Sequence, residues 1–239
     1  MLKVEDLSVR RGDRSALDQV SLSIAPGRTL AVVGESGAGK TTLIAAILGL
    51  LKPARGTITW DGAAVRNARP ALVMQEPKAA FNPALPLIRS VREPLGKGAQ
   101  DPDRLAWLCK RLELDPELLK RKPAQVSIGQ AQRVGILRAL ISCPPLILFD
   151  EPLSALDAVT QKRSARLIAD LQRDQGFAAL IVTHDLGYAC AFSDEIAVLR
   201  AGRIEERSPP GIFLADPQTA YGRTLRDAAF ALGALERTP

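Results

Sequence analysis

Apolar and polar residues alternate from the first strand-sized window of the chain. "LKVEDLSV" (residues 2–9) and "ALDQVSLSI" (16–24) each repeat with a period of two. That period predicts half-buried β-strands. "GTITWDGAAV" (56–65) carries Asp61-Gly62, a dipeptide suited to a two-residue hairpin turn. Together these segments predict an antiparallel β-layer near the N-terminus.

Between them the pattern changes. "RTLAVVGESGAGKTTLIAAILGLL" (28–51) reads as a buried strand, a glycine-rich loop, and an apolar helix ending near Lys52-Pro53. From about 76 to 143, prolines punctuate "EPKAAFNPALPLIRSVREPL", and helix-like periodicity follows in "PDRLAWLCKRLEL" and "GQAQRVGILRAL". This span reads as a mostly helical insertion. "LILFDEP" and "AALIVTHD" are short apolar runs ending in polar residues, separated by an amphipathic helix over about 158–175 that Gly176 stops. Strand, crossover helix, strand implies parallel pairing and an α/β core. "EIAVLRAGRIEER" predicts a final hairpin turning at Ala201-Gly202.

Composition narrows the partners. Over 239 residues, 46% hydrophobic and 24% charged is ordinary for a globular chain with a sizeable core. No apolar run reaches the roughly 20 residues of a membrane helix. The start, "MLKVEDLSVRR", lacks a signal-peptide layout, so a cytosolic chain is expected. Cys109, Cys143 and Cys190 lie far apart with no metal-ligand spacing and read as free thiols. A net charge of +6 suits an anionic ligand or surface, while 4% aromatics and no basic run argue against nucleic acid.

Two stretches carry chemistry. "GESGAGKT", Gly34 to Thr41, matches the phosphate-loop pattern G-x-x-x-x-G-K-[ST] and sits between a predicted strand and helix, as that motif requires. Gly37 and Gly39 let the backbone curl so that successive N–H groups form an anion nest. The helix start aims its positive end at the same point. Lys40 would reach the β- and γ-phosphates of a nucleotide, and the Thr41 hydroxyl would ligate Mg²⁺. At the end of "LILFDEP", Asp150 and Glu151 place two carboxylates side by side, an arrangement that favours a cation between them and the phosphates. Asp150 is expected to hold Mg²⁺, and Glu151 to orient and deprotonate an attacking water.

With "GESGAGKTT", Gln75 in "LVMQEP", "VSIGQAQR", "LILFDEP", "SALD" and "IVTHD" in this order, the chain resembles ATP-binding cassette (ABC) ATPases over nearly its whole length. "QEPKAAFNP" and the tail "FLADPQTAYGRTL" are similar, more loosely, to the peptide and nickel importer branch. The resemblance implies a single ABC ATPase domain over 1–239. Residues 1–75 and 144–239 would form the α/β P-loop NTPase core with an antiparallel β-subdomain, and 76–143 a helical subdomain.

It also implies roles by position. Gly34, Ser36, Gly37, Ala38, Gly39, Lys40, Thr41 and Thr42 would cradle ATP. Thr41, Gln75 and Asp150 would hold Mg²⁺. Ser127, Gly129 and Gln130 would reach the γ-phosphate of ATP bound by a facing subunit, and Asp157 would connect the two composite sites. His184, the only histidine in the chain, would act with Glu151 on the attacking water. Its place at a parallel strand's C-terminal end, where open α/β sheets bind ligands, favours function over a structural role.

Two positions depart from the family pattern. Where an aromatic residue usually stacks on adenine, this chain has Arg11, either a guanidinium stacking on the base or a solvated surface arginine. Ile128 stands in the signature "SIGQ" where glycine is usual. If it must adopt φ > 0 the cost is at least about 1–2 kcal/mol, enough to weaken ATP-dependent dimerisation by about tenfold. If φ is negative the cost is small.

The expected function is the ATP-hydrolysing subunit of an importer for peptide, nickel or metal chelate. It would work with a second, different ABC ATPase, two permease subunits and, indirectly, a substrate-binding protein, peripherally on the cytoplasmic face of the cell membrane. Larger peptide-importer members often carry a C-terminal cysteine cluster; this sequence has none, which tilts the expectation toward nickel, metal-chelate or small-peptide cargo. The alternative is a soluble ABC ATPase of an enzyme complex such as carbon–phosphorus lyase. The "AAFNP" segment favours the transporter.

Overall fold

Alternate residues of the central strands point into different cores, and this arrangement organises the molecule. The computed structural model describes residues 1–96 and 101–235. Residues 97–100 of the predicted helical insertion lie outside the described residues, as do 236–239.

Strands β1 (Leu2–Arg11) and β2 (Arg14–Ile24) form an antiparallel hairpin with irregular register. β3 (Thr29–Val33) enters the centre of the molecule and leads into helix α1 (Lys40–Ile47). β4 (Arg55–Trp60) pairs with β1, and β5 (Ala63–Ala64) pairs with β4, giving a four-stranded antiparallel sheet in the order β2-β1-β4-β5. Asp61 and Gly62 both have positive φ, as a type I′ hairpin turn requires. The antiparallel layer expected from alternation is therefore present.

β6 (Ala71–Val73) follows, and then the helices α2 (Leu87–Arg92), α3 (Pro102–Arg111) and α4 (Ile128–Leu140), with 3₁₀ turns between them. β7 (Leu146–Asp150), α5 (Ala158–Gln175), β8 (Ala178–Thr183), α6 (Leu186–Phe192), β9 (Glu195–Arg200) and β10 (Arg203–Ser208) return the chain to the core. α7 (Pro210–Ala215) and α8 (Ala220–Ala231) close it. The second sheet has six strands in the order β10-β9-β3-β8-β7-β6. β6 to β9 run parallel with β3, and β10 is antiparallel.

Both faces of this sheet are covered, so its strands read as continuous apolar runs rather than alternating ones. Leu30, Val32, Leu146, Leu148, Leu180 and Val182 pack with α1 and the antiparallel sheet. Ile147, Phe149, Ala179 and Ile181 face the helical segment. Ala31 and Val33 meet the C-terminal helices through Phe213 and Tyr221.

Local signals end the elements where capping chemistry demands. Asp157 caps α5 by accepting from the Thr160 N–H at 3.0 Å, and Gly176 ends that helix in the left-handed region. Helix α1 stops earlier than its apolar run suggests. Gly49 adopts φ +73°, and the Leu50 N–H turns back to the Ala45 carbonyl at 2.8 Å, so the chain leaves the helix before Lys52-Pro53.

Candidate functional site

The glycine-rich loop joins β3 to α1, at the C-terminal edge of the parallel sheet. Its shape is set by close approaches that only glycine permits. A Cβ on Gly34 would lie 2.1 Å from the Leu199 carbonyl oxygen, and one on Gly39 would lie 2.6 Å from the Ala16 carbonyl oxygen. Gly39 has φ +110° and is the N-cap of α1, so the loop delivers the first free N–H groups of the helix into its own curl. Glu35, Ser36, Gly37 and Thr41 are exposed there, while Ala38 and Thr42 are buried beneath.

Lys40 is only 7% exposed. Its ammonium donates to the Gly34 carbonyl at 2.7 Å and the Glu35 carbonyl at 3.0 Å. Burial lowers its pKa, and the negative charges of Glu151 and Asp150 oppose that shift. The cation is thus parked inside the loop, facing two carboxylates.

Those carboxylates come from the end of β7. Burial raises the pKa of Asp150; the Thr41 hydroxyl bonded to it lowers the pKa, the neighbouring Glu151 charge raises it, and Lys40 lowers it. Glu151 sits at φ +45°, with its N–H donating to the Val182 carbonyl at 2.9 Å. Such a backbone is costly for a residue with a side chain. Here it follows the strand's last sheet bond and brings the carboxylate to His184. His184 Nδ1 lies 2.8 Å from Glu151 Oε2, with the imidazole 63% exposed and the carboxylate 17% exposed. For this contact to be a hydrogen bond Nδ1 must carry the proton, which leaves Nε2 of the neutral ring as an acceptor facing solvent. Gln75, just beyond β6, donates from Nε2 to the same Glu151 oxygen at 3.5 Å.

Lys40, Thr41, Gln75, Asp150, Glu151 and His184 therefore form one cluster. Its donors suit Mg²⁺: a hydroxyl, a carboxylate and an amide supply hard oxygens and leave positions for phosphate and water. Arg11 is exposed at the end of the first hairpin, opposite Arg14. Two residues further along β2, Ala16 closes on Gly39, so this hairpin flanks the loop.

Ser127, Gly129, Gln130 and Asp157 form a second group. The Ser127 hydroxyl accepts from the Gln130 N–H at 3.1 Å, and the Gln130 side-chain oxygen accepts from the Ser127 N–H at 2.9 Å, a reciprocal capping box. All four line an open groove with Leu156 and Thr160. Among the described residues no hydrogen bond or ion pair joins this group to the Lys40 cluster.

Ile128 resolves the question its side chain raises. It is the first residue of α4, it does not adopt positive φ, and it is 47% exposed. Neither it nor Gly129 uses the left-handed region, so a β-branched residue fits without the strain that region would impose.

One contact to the loop has no local sequence signal. The Tyr221 hydroxyl, from α8, accepts from the Glu35 N–H at 3.3 Å. The tail carries this residue some 186 positions away, and only packing brings it back.

Comparison with known proteins identifies the family. Residues 17–154 match the family described as "ABC transporter". The chain is 37% identical over 228 residues to the glutathione import ATP-binding protein GsiA of Pectobacterium atrosepticum, covering 89% of this chain but only 37% of that protein. It thus spans little more than a third of those relatives' length. It is 36% identical to a putative peptide import ATP-binding protein of Brucella ovis, covering 95% of this chain and 78% of that one. Among solved structures, a dimeric ATP-binding cassette bound to ADP and phosphate superposes with a TM-score of 0.76 at 30% identity, over 88% of this chain and 99% of that one. cbiO1 from Clostridium perfringens, part of the ABC transporter complex cbiONQ, gives 0.80 at 25% identity, over 98% of each chain.

Proposed function

The chain belongs to the ABC transporter family, and from that premise we propose that it is the ATP-hydrolysing subunit of a peptide-class importer. The observation that carries the reading is the convergence of Lys40, Asp150 and Glu151 at the mouth of the glycine-rich loop. A triphosphate entering the loop draws the Lys40 ammonium off its two carbonyls and receives the N–H groups of residues 37–42. Thr41, Asp150 and Gln75 would hold Mg²⁺, which would supply positive charge to the β- and γ-phosphates. Glu151 accepts the proton of the attacking water, and His184, tethered through Nδ1, keeps Nε2 available to orient it. Arg11 lies against the base.

The Ser127 group is an open half-site. Its Ser127 hydroxyl accepts one intrachain bond and keeps its proton for an outside acceptor, which suits the γ-phosphate held by a facing ABC ATPase. Asp157 lines the same groove and connects the two composite sites across the interface. Residues 76–143 act as the helical unit that carries this half-site, while 1–75 and 144–239 hold the nucleotide. Among the described residues no helix is long and apolar enough to cross a membrane; the same reading has this chain docked on the cytoplasmic side of separate permease subunits. The relatives named for glutathione and peptide import support peptides ahead of nickel or metal chelates as cargo.

The test is ATP binding and hydrolysis by the chain and its Lys40→Ala variant, followed by stimulation in a reconstituted complex with its permeases. Loss of ATP affinity in the variant and stimulation by a peptide-loaded capture protein are expected. Unchanged affinity sinks the phosphate-loop reading. Co-purification with soluble enzyme subunits and no membrane protein would instead favour an ATPase of a carbon–phosphorus lyase type of complex.

A further inference from the structure

Three observations tie the first turn of α8 to the glycine-rich loop. Glu206 is buried on β10, and its Oε2 accepts from the Thr219 N–H at 2.6 Å. The Thr219 hydroxyl caps α8 by accepting from the Gly222 N–H at 2.9 Å. A Cβ on Gly222 would lie 2.3 Å from Glu206 Oε1, so a glycine there is what lets the helix close on the strand. The turn between these anchors projects Tyr221, which is 7% exposed, beneath the Arg200 guanidinium at 4.5 Å.

The Tyr221 hydroxyl then accepts from the Glu35 N–H. That N–H belongs to the same planar peptide unit as the Gly34 carbonyl, which accepts from Lys40 at 2.7 Å. In a trans peptide the N–H and C=O point in opposite directions. One rigid plane is therefore held by Tyr221 on one side and by the Lys40 ammonium on the other. Glycine at 34 puts no side-chain restraint on rotation of this plane, so the hydroxyl supplies it.

We propose that Tyr221 is a positioning residue of the phosphate loop, holding the Gly34–Glu35 peptide so that the loop keeps its curl before a nucleotide enters, and so linking nucleoside triphosphate affinity to the seating of α8. This rests on the ATP reading given above. Any displacement of α8 from β10, by a partner or by mutation, releases the peptide and loosens the loop.

Tyr221→Phe keeps the ring under Arg200 and removes only the hydroxyl. Two readouts apply to the full chain. In the nucleotide-free protein, exchange of the Glu35 amide hydrogen should accelerate by about threefold or more. Affinity for Mg²⁺-ATP should fall about three- to tenfold, the size of one lost hydrogen bond, with KM rising more than kcat changes. Ile168→Ala, buried on α5 in a different core, serves as comparator: it should lower the thermal midpoint while leaving Glu35 exchange and ATP affinity near wild type. Unaltered Glu35 exchange in Tyr221→Phe overturns the proposal, as does unaltered ATP affinity with accelerated exchange. A wild-type chain that binds no Mg²⁺-ATP would instead sink the functional reading, and Glu35 exchange would still decide the contact.

Discussion

His184 Nδ1 and Glu151 Oε2 lie 2.8 Å apart at the ends of two adjacent parallel strands. β7 and β8 are hydrogen-bonded in register, with Asp150 beside Val182. Glu151 directly follows Asp150 and His184 lies two residues beyond Val182, so the two meet just past the strand ends without a long loop between them. The pair is fixed by the sheet, and its chemistry is fixed by which nitrogen carries the proton.

Glu151→Gln should keep ATP binding and reduce turnover by at least about 100-fold, the usual contribution of a positioned base. His184→Ala should also lower kcat but less steeply, since Glu151 remains. Steady-state hydrolysis with tight-binding controls checks both. Normal turnover by Glu151→Gln would remove the general-base assignment.

Ile128→Gly should give no gain in ATPase activity with the native partner. Ile128 already sits in a helical backbone, so glycine relieves no strain and adds about 0.5–1 kcal/mol of entropic cost at the helix start. Hydrolysis rates and a thermal melt, taken together, check this. A marked gain in activity would show that the side chain obstructs the facing subunit.

Asp150→Asn should separate stability from function. Burial raises the Asp150 pKa above its unfolded value, so this group favours the folded state at low pH, and that advantage is lost as pH rises through the folded value. At neutral pH the ionised carboxylate is therefore a burden on the nucleotide-free fold. The amide removes that charge, so the thermal midpoint at pH 7–8 should hold or rise while Mg²⁺-dependent hydrolysis falls. A variant both less stable and inactive would indicate that the carboxylate is structural.

The three thiols should react in a definite order. Cys143 is exposed and Cys109 buried. Burial, with the Asp185 charge behind it, pushes the Cys190 thiol up to about 11, which leaves about one thiolate per thousand molecules at pH 8. Iodoacetamide labelling followed by peptide mass spectrometry should find Cys143 modified first, and prior labelling of Cys190 would contradict that shift.

Much of the architecture was legible because it rests on local chemistry. Period-two alternation located the antiparallel sheet, Asp61-Gly62 and Ala201-Gly202 located two hairpins whose turn residues all have positive φ, and Asp157 with Gly176 bounded α5. The glycine-rich loop announced itself by spacing, and Asp150 and Glu151 by two charges closing an apolar strand. Helix α1 ends before Lys52-Pro53 because Gly49, in the left-handed region, turns the chain out of the helix, which the apolar pattern alone does not reveal.

The sequence by itself determined which residue types were available and on which elements they would lie. Helix periodicity, caps and turns are properties of neighbours in the chain, so they can be read from neighbours. Only the tertiary structure decided that the Lys40 ammonium rests on Gly34 and Glu35 between two carboxylates, that Ile128 needs no left-handed backbone, and that Tyr221 returns from the far end of the chain to hold the loop. Those outcomes depend on the packing of strands distant in sequence and on the orientation of single peptide planes, and no local pattern encodes either.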